Sequence, residues 1–386
     1  MSVMVKTAVR FRLAARHKLL LLTLWCAVSV LFLTGFALPR LVDRPYSARQ
    51  TATLGELRQR YQAQTPPVLG ARAFLLYDME AEARLLADHA DKALPPASLT
   101  KLMTALLIFE QNELTRTVTI IDADLVGDAA MGLVAGERLT VEQLLWGMLL
   151  PSGNDAATAL ARSAAGSVDA FVAQMNRRAA ALGMAQSHFA NPHGLDAADQ
   201  VSSAADLLLL TRQLWRYPLF QEMVQSHERT VAGHRLRNTN ELLFTMPGAI
   251  GVKTGTSSAA GQCLIAMIQR DGRAVLLIVL GSRDRYADAR TLYGYYRNLY
   301  QWLAPKANEL ALLDRLVTRD GLRWYLRPVG AAPARLVRSW EVSQVRVFRR
   351  LSLPPADLPW TPGLEVGVVE WQLGGKSLGV QRLVLW

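Results

Sequence analysis

Cysteine is nearly absent: the 386 residues include two, Cys26 and Cys263. That excludes a disulfide framework and a cysteine-based zinc module. The six histidines are scattered, with neither zinc spacing nor a Ser/His/Asp order. Charged residues are sparse at 19% and apolar residues reach 51%, which excludes a disordered chain. No internal repeat and no low-complexity tract is present. At roughly 150 residues per domain, the length allows two to three units.

Acids are missing where the chain begins. Residues 1–50 carry eight basic residues and one acid, a net of +7. Residues 51–305 net −1 and residues 306–386 net +5, so the overall +11 belongs to the two ends. A nucleic-acid surface needs its basic residues gathered on the folded domain. The neutral middle argues against one, and no nucleic-acid partner is expected.

Lys6, Arg10, Arg12, Arg16 and Lys18 precede an uncharged apolar run over residues 19–38. At about 1.5 Å per residue such a helix spans a hydrocarbon core of about 30 Å. The basic flank holds the N-terminus in the cytoplasm, so the rest is exported. Residues 1–38 therefore read as a basic tail and signal anchor in the cytoplasmic membrane, with the remainder facing the periplasm or exterior. Cleavage after Ala37 is the alternative. Cys26 lies in this segment and Cys263 opens an apolar run, so the two are not expected to pair. Residues 39–70, with Pro39, Pro45, Pro66 and Pro67, read as a linker.

In the middle, AFLLYDME and ARLLADHA suggest a hairpin, and helical spacing begins at Ser98. Thr140 with Gln143 forms a capping box, and Pro151 ends that helix. Further helices are expected from about 156 to 165, from Ser167 to a stop at Gly183, and from Ser203 to about 215. The period then shifts to two. Residues 250–254 read as a strand, and CLIAMIQ and AVLLIVLG flank Asp271-Gly272, a hairpin signal. A last helix is expected over about 287–303. This order suggests an α+β fold: an antiparallel sheet closed by both ends of residues 71–305, with a helical block inserted. Residues 306–386, with short Val-, Leu- and Arg-rich runs between Gly and Pro, suggest a small all-β domain.

Three short motifs carry chemistry. Ser98 and Lys101 are three apart at the start of a helix and can touch. A serine hydroxyl needs an adjacent base, and a lysine serves when burial lowers its pKa. Ser152-Gly153-Asn154 follows Pro151 at a helix break, where a serine can relay a proton and an amide can bind a substrate amide. Lys253, Thr254, Gly255 and Thr256 end an apolar strand, where a cation and two hydroxyls can hold a carboxylate. Gly255 would let a substrate backbone lie against the strand edge.

Each motif alone is common. Their joint order, with ASLTKLMTALL, MLLPSGNDAATALA, FVAQMNRRAAALGM, NPHGLD and GVKTGTSSAAGQCL, resembles the penicillin-recognising serine enzymes. More narrowly, residues 73–300 are similar to the D-alanyl-D-alanine carboxypeptidases of the S11 peptidase family. The resemblance implies a penicillin-binding transpeptidase-like fold, peptidoglycan stem peptides ending in D-Ala-D-Ala as substrate, and covalent binding of β-lactams. No metal or organic cofactor is implied.

Roles follow from the same resemblance. Ser98 is expected as nucleophile, Lys101 as its base and Ser152 as proton relay. Asn154 is expected to bind the substrate backbone, and Lys253, Thr254, Gly255 and Thr256 the terminal carboxylate. The Ser98 and Thr256 N–H groups would form the oxyanion hole, and Arg283 is a further candidate at the carboxylate. His193 in NPHGLD reads as loop packing. The alternatives are a D,D-endopeptidase and a class A-like β-lactamase. The latter uses a glutamate in an E-x-x-L-N pattern, which Glu222, Glu228 and Glu241 do not show.

Overall fold

A computed structural model describes residues 65–303 continuously, then 315–317, 321–330, 334–352 and 359–386, with a few positions between 55 and 61. The expected anchor over 1–38 and most of the expected linker lie outside the described residues. Among the described residues no helix is long and apolar enough to cross a membrane.

The first two strands are an antiparallel pair, β1 (Ala73–Asp78) and β2 (Ala83–Asp88). The block that follows is mostly helical. Its helices are α1 (Lys101–Gln111), α2 (Val141–Leu149), α3 (Asn154–Ala165), α4 (Val168–Ala181), α5 (Ala204–Leu214), α6 (Pro218–Gln225) and the single turn α7 (Leu242–Thr245). Two small ribbons interrupt it: β3 (Thr117–Thr119) with β4 (Arg138–Thr140), and β5 (Glu228–Val231) with β6 (His234–Arg237). Then come β7 (Ala249–Ser257), β8 (Gly261–Arg270), β9 (Arg273–Ser282), α8 (Arg285–Leu299) and β10 (Tyr300–Leu303).

The first and last strands share one antiparallel sheet of order β2-β1-β9-β8-β7. Alternation assigns its faces. Phe74 and Leu76 of β1, with Leu264, Ala266, Leu277 and Val279, pack with Leu292 and Tyr293 of α8. Leu75 and Tyr77, with Ile265, Met267, Leu276 and Ile278, pack with Leu102, Leu106, Phe171 and Leu207 of the helical block. Asp271 and Gly272 close the β8–β9 hairpin with φ of 53° and 75°, the left-handed pair that a tight hairpin turn demands.

The sequence signals for helix ends have physical counterparts. Thr140 Oγ1 accepts from Gln143 N while Gln143 Oε1 accepts from Thr140 N. Ser203 caps α5 through Asp206 N, but the Asp206 carboxylate turns away to Gln186 N and Ser187 Oγ, so only half of that box forms. The last helix stops at Leu299, short of the expected 303. Residues Tyr300–Leu303 extend and pair with Arg335–Arg338 (β13).

The described residues fall into two compact units. One holds the described residues up to 303 with 335–342, the other the described residues from 315 to 334 and from 343 to 386. In the second, β11 (Arg315–Val317), β12 (Arg323–Val329), β14 (Arg346–Leu351), β15 (Glu365–Leu373) and β16 (Lys376–Leu385) form an antiparallel sheet of order β11-β12-β16-β15-β14. Its core is Leu326, Val366, Val369, Trp371, Leu383 and Leu385.

Candidate active site

A short 3₁₀ turn, Ala97–Thr100, leads into α1, and every residue from Lys101 to Phe109 is buried. A helix buried all round is a central element, so its first turn is rigidly placed. Ser98 is half-buried, while Lys101 is fully enclosed. Lys101 Nζ donates to Asn154 Oδ1 at 2.7 Å and to the His193 carbonyl at 2.6 Å, which in the neutral amine leaves its lone pair for the Ser98 hydroxyl, whose Oγ lies 2.9 Å away. Its pKa is driven well below the ordinary lysine value, first by burial and then by the charge of Lys253, with Asp155 pulling the other way. A neutral amine at hydrogen-bond distance from a hydroxyl can take its proton.

Ser152 and Asn154 sit where α2 ends and α3 begins. Ser152 adopts a left-handed conformation, φ 68°, and its buried Oγ has no hydrogen-bond partner among the described residues. Such a group is costly unless something else engages it. Asn154 is already committed: besides accepting from Lys101, its Nδ2 donates to Gly127 O at 2.7 Å.

Strand β7 forms the opposite wall. Lys253 is buried, its Nζ donates to Thr254 O at 3.0 Å, and burial with the nearby Arg285 charge lowers its pKa to about 7. Thr254 Oγ1 lies 2.7 Å from Thr239 Oγ1. A Cβ at Gly255 would sit 2.9 Å from Pro96 O and 3.1 Å from Ser98 N, so only glycine lets β7 run this close to the serine turn. Thr256 is exposed and its Oγ1 accepts from Arg285.

The structure thus brings together Ser98, Lys101 and Asn154 by direct contact, with Lys253, Thr254, Gly255 and Thr256 along the facing strand. Arg283 is exposed and makes no hydrogen bond or ion pair to these residues; the arginine that contacts β7 is Arg285, which donates to Gly255 O at 2.8 Å, Cys263 O at 2.9 Å and Thr256 Oγ1. A cap decides between the two: Asp284 accepts from Tyr286 N and Ala287 N, making Arg285 the first residue of α8. Asp284 in that position was the available sequence signal.

His193 does more than pack. Its backbone carbonyl orients Lys101, while its ring is pushed to about 4, mainly by burial and then by Lys101, and accepts from Leu195 N. Gly194 permits this: at φ 92°, a Cβ there would lie 2.0 Å from Ala97 O. Among the described residues no group of three His, Cys, Asp or Glu side chains could hold a metal ion.

An antiparallel sheet backed by α8, a helical block on its other face and a buried Ser–Lys couple between them define a serine hydrolase of the penicillin-recognising class. The profile of the S11 peptidase family, described as D-alanyl-D-alanine carboxypeptidase, matches residues 60–284. The chain is 30% identical over 337 residues to D-alanyl-D-alanine carboxypeptidase DacC of Escherichia coli (strain K12), covering 83% of this chain and 84% of that one. With DacA of the same organism it shares 34% over 340 residues, 83% of each chain. The solved structure of penicillin binding protein 5 from Haemophilus influenzae superposes with a TM-score of 0.62 at 26% identity, covering 83% of this chain and 98% of that one. The chain belongs to the S11 family of serine-type D-alanyl-D-alanine carboxypeptidases.

Proposed function

We propose that this enzyme removes the terminal D-alanine from peptidoglycan stem pentapeptides through an acyl-enzyme on Ser98. The observation that carries the reading is the 2.9 Å contact between Ser98 Oγ and the enclosed, proton-poor Lys101 amine. Lys101 takes the Ser98 proton as Oγ attacks the carbonyl of the penultimate D-alanine. The N–H groups of Ser98 and Thr256 receive the oxyanion, consistent with the close approach of Gly255 to Ser98 N. Ser152, whose hydroxyl has no hydrogen-bond partner among the described residues, passes a proton to the leaving amine. Lys253, Thr254 and Thr256 hold the departing carboxylate. Water, deprotonated by Lys101, then cleaves the ester. Penicillin enters the same path and stays as an ester on Ser98.

Mass spectrometry of a stem pentapeptide after incubation tests this. Loss of one alanine is expected, and cleavage of cross-linked dimers without it would favour an endopeptidase.

Residues 1–38 are proposed as an uncleaved anchor in the cytoplasmic membrane that holds the catalytic unit outside the cytoplasm. The acid-free basic flank and the uncharged run over 19–38 support it. The strands after residue 306 are proposed as an accessory domain. N-terminal sequencing of the mature protein tests the anchor, and a start at Leu38 would refute it.

A further inference from the structure

Neither the Ser–Lys couple nor the strand motif explains why Ser152-Gly153-Asn154 continues into Asp155. That carboxylate is buried and has no cation within ion-pair distance among the described residues. Instead, Oδ1 accepts from Met131 N and Ala156 N, each at 2.8 Å, and Oδ2 from Gly132 N at 2.9 Å and Leu133 N at 3.1 Å. Three successive amides of loop 127–133 therefore converge on one side chain, an anion-binding concavity filled from within the protein.

The next residue back holds the rest of the loop. Asn154 N donates to Ala129 O at 2.7 Å and its Nδ2 to Gly127 O. Two glycines make room. A Cβ at Gly153 would lie 2.7 Å from Asp155 Oδ1 and 2.8 Å from Met131 N, and one at Gly147 would lie 2.0 Å from Met131 Sδ. The loop thus runs along the Ser152–Asp155 segment, tied at both ends. Asn154 is the hinge of the arrangement, since its amide joins the loop on one side and Lys101 on the other.

We infer that Asp155 is a positioning residue for the reaction: it pins loop 127–133 beside Ser152 and keeps a negative charge near the Lys101 amine. The inference rests on the reading in which Ser98, Lys101 and Ser152 carry the chemistry. Charged or titratable groups face Lys101 from three elements: Asp155 from α3, Lys253 from β7 and the neutral His193 from the loop after α4. Asp155 alone favours the protonated amine. Its removal lowers the Lys101 pKa further and frees the loop that holds Asn154.

The test is the pH dependence of Ser98 acylation by benzylpenicillin, measured on the full chain in detergent. Asp155→Asn keeps the shape but loses the charge and turns an NH₂ group toward backbone donors. Acylation at neutral pH is expected to fall about tenfold or more, and the acid limb to move to lower pH. Gly153→Ala displaces the loop with every charge kept, so its rate falls while the limb stays. A folded Asp155→Asn protein with the wild-type rate and limb overturns the inference. Should that variant not fold, a folded Gly153→Ala protein with the wild-type rate overturns it equally. Failure of the underlying reading looks different, because the wild-type protein would then not be acylated at all.

Discussion

Lys101 Nζ reaches Ser98 Oγ at 2.9 Å from within the same turn of chain, with the preceding Ala97 held at φ 48°. Nucleophile and base are thereby set by local geometry. The low proton affinity of the base is set by distant chain, through burial and through Lys253 on β7. The expected consequence is that the amine cannot be replaced. Lys101→Ala should lower the penicillin acylation rate by about 10²–10⁴-fold. Lys101→Arg should not restore it, because a guanidinium does not deprotonate. Stopped-flow or quenched labelling measures both.

The pH profile should be bell-shaped in kcat/KM, which reports the free enzyme. Lys101 must be neutral, so activity rises with pH through its depressed pKa. Lys253 must be cationic to hold a carboxylate, and its pKa of about 7 makes activity fall above that pH. A thioester analogue whose leaving group lacks a carboxylate should lose the alkaline limb and keep the acid one.

Arg285→Ala removes donors from Gly255 O, Cys263 O and Thr256 Oγ1. Each buried carbonyl left unpaired costs about 1–3 kcal/mol, so the melting temperature should drop. The charge that depresses Lys253 also goes, so the alkaline limb should move to higher pH. A thermal melt and a kcat/KM profile of the same preparation measure the two effects separately.

Much of this was legible in the sequence. Ser98, Lys101 and Asn154 touch because S-x-x-K is a one-turn spacing and S-G-N starts the adjoining helix. The caps at Thr140, Ser167 and Ser203 and the Asp271-Gly272 turn are local signals with local outcomes. What the sequence hid is long-range. Nothing local marks the His193 carbonyl as a lysine acceptor, Thr239 as a partner of Thr254, or Asp155 as the anchor of loop 127–133. The β5–β6 ribbon, exposed along most of its length, lacks the apolar alternation that reveals strands. Tyr300–Leu303 looked helical because its strand partner lies over 30 residues later.

Gly194→Ala should cost both stability and activity, because its Cβ would overlap Ala97 O beside the nucleophile. Gly183→Ala is the control. Its φ is also positive, at 76°, but a Cβ there meets open space. That variant should lose only about 1–2 kcal/mol and keep its acylation rate. Parallel melts and penicillin labelling distinguish the two glycines.

The central claim is that Ser98 is the acylated nucleophile of a D-alanyl-D-alanine carboxypeptidase. The most direct measurement is intact-protein and peptide mass spectrometry after benzylpenicillin treatment, with D-alanine release from a D-Ala-D-Ala peptide assayed on the same preparation. One penicilloyl adduct on the peptide containing Ser98, with adduct and D-alanine release both lost in Ser98→Ala, is the predicted result. An adduct elsewhere, or undiminished D-alanine release by a Ser98→Ala protein, would contradict it.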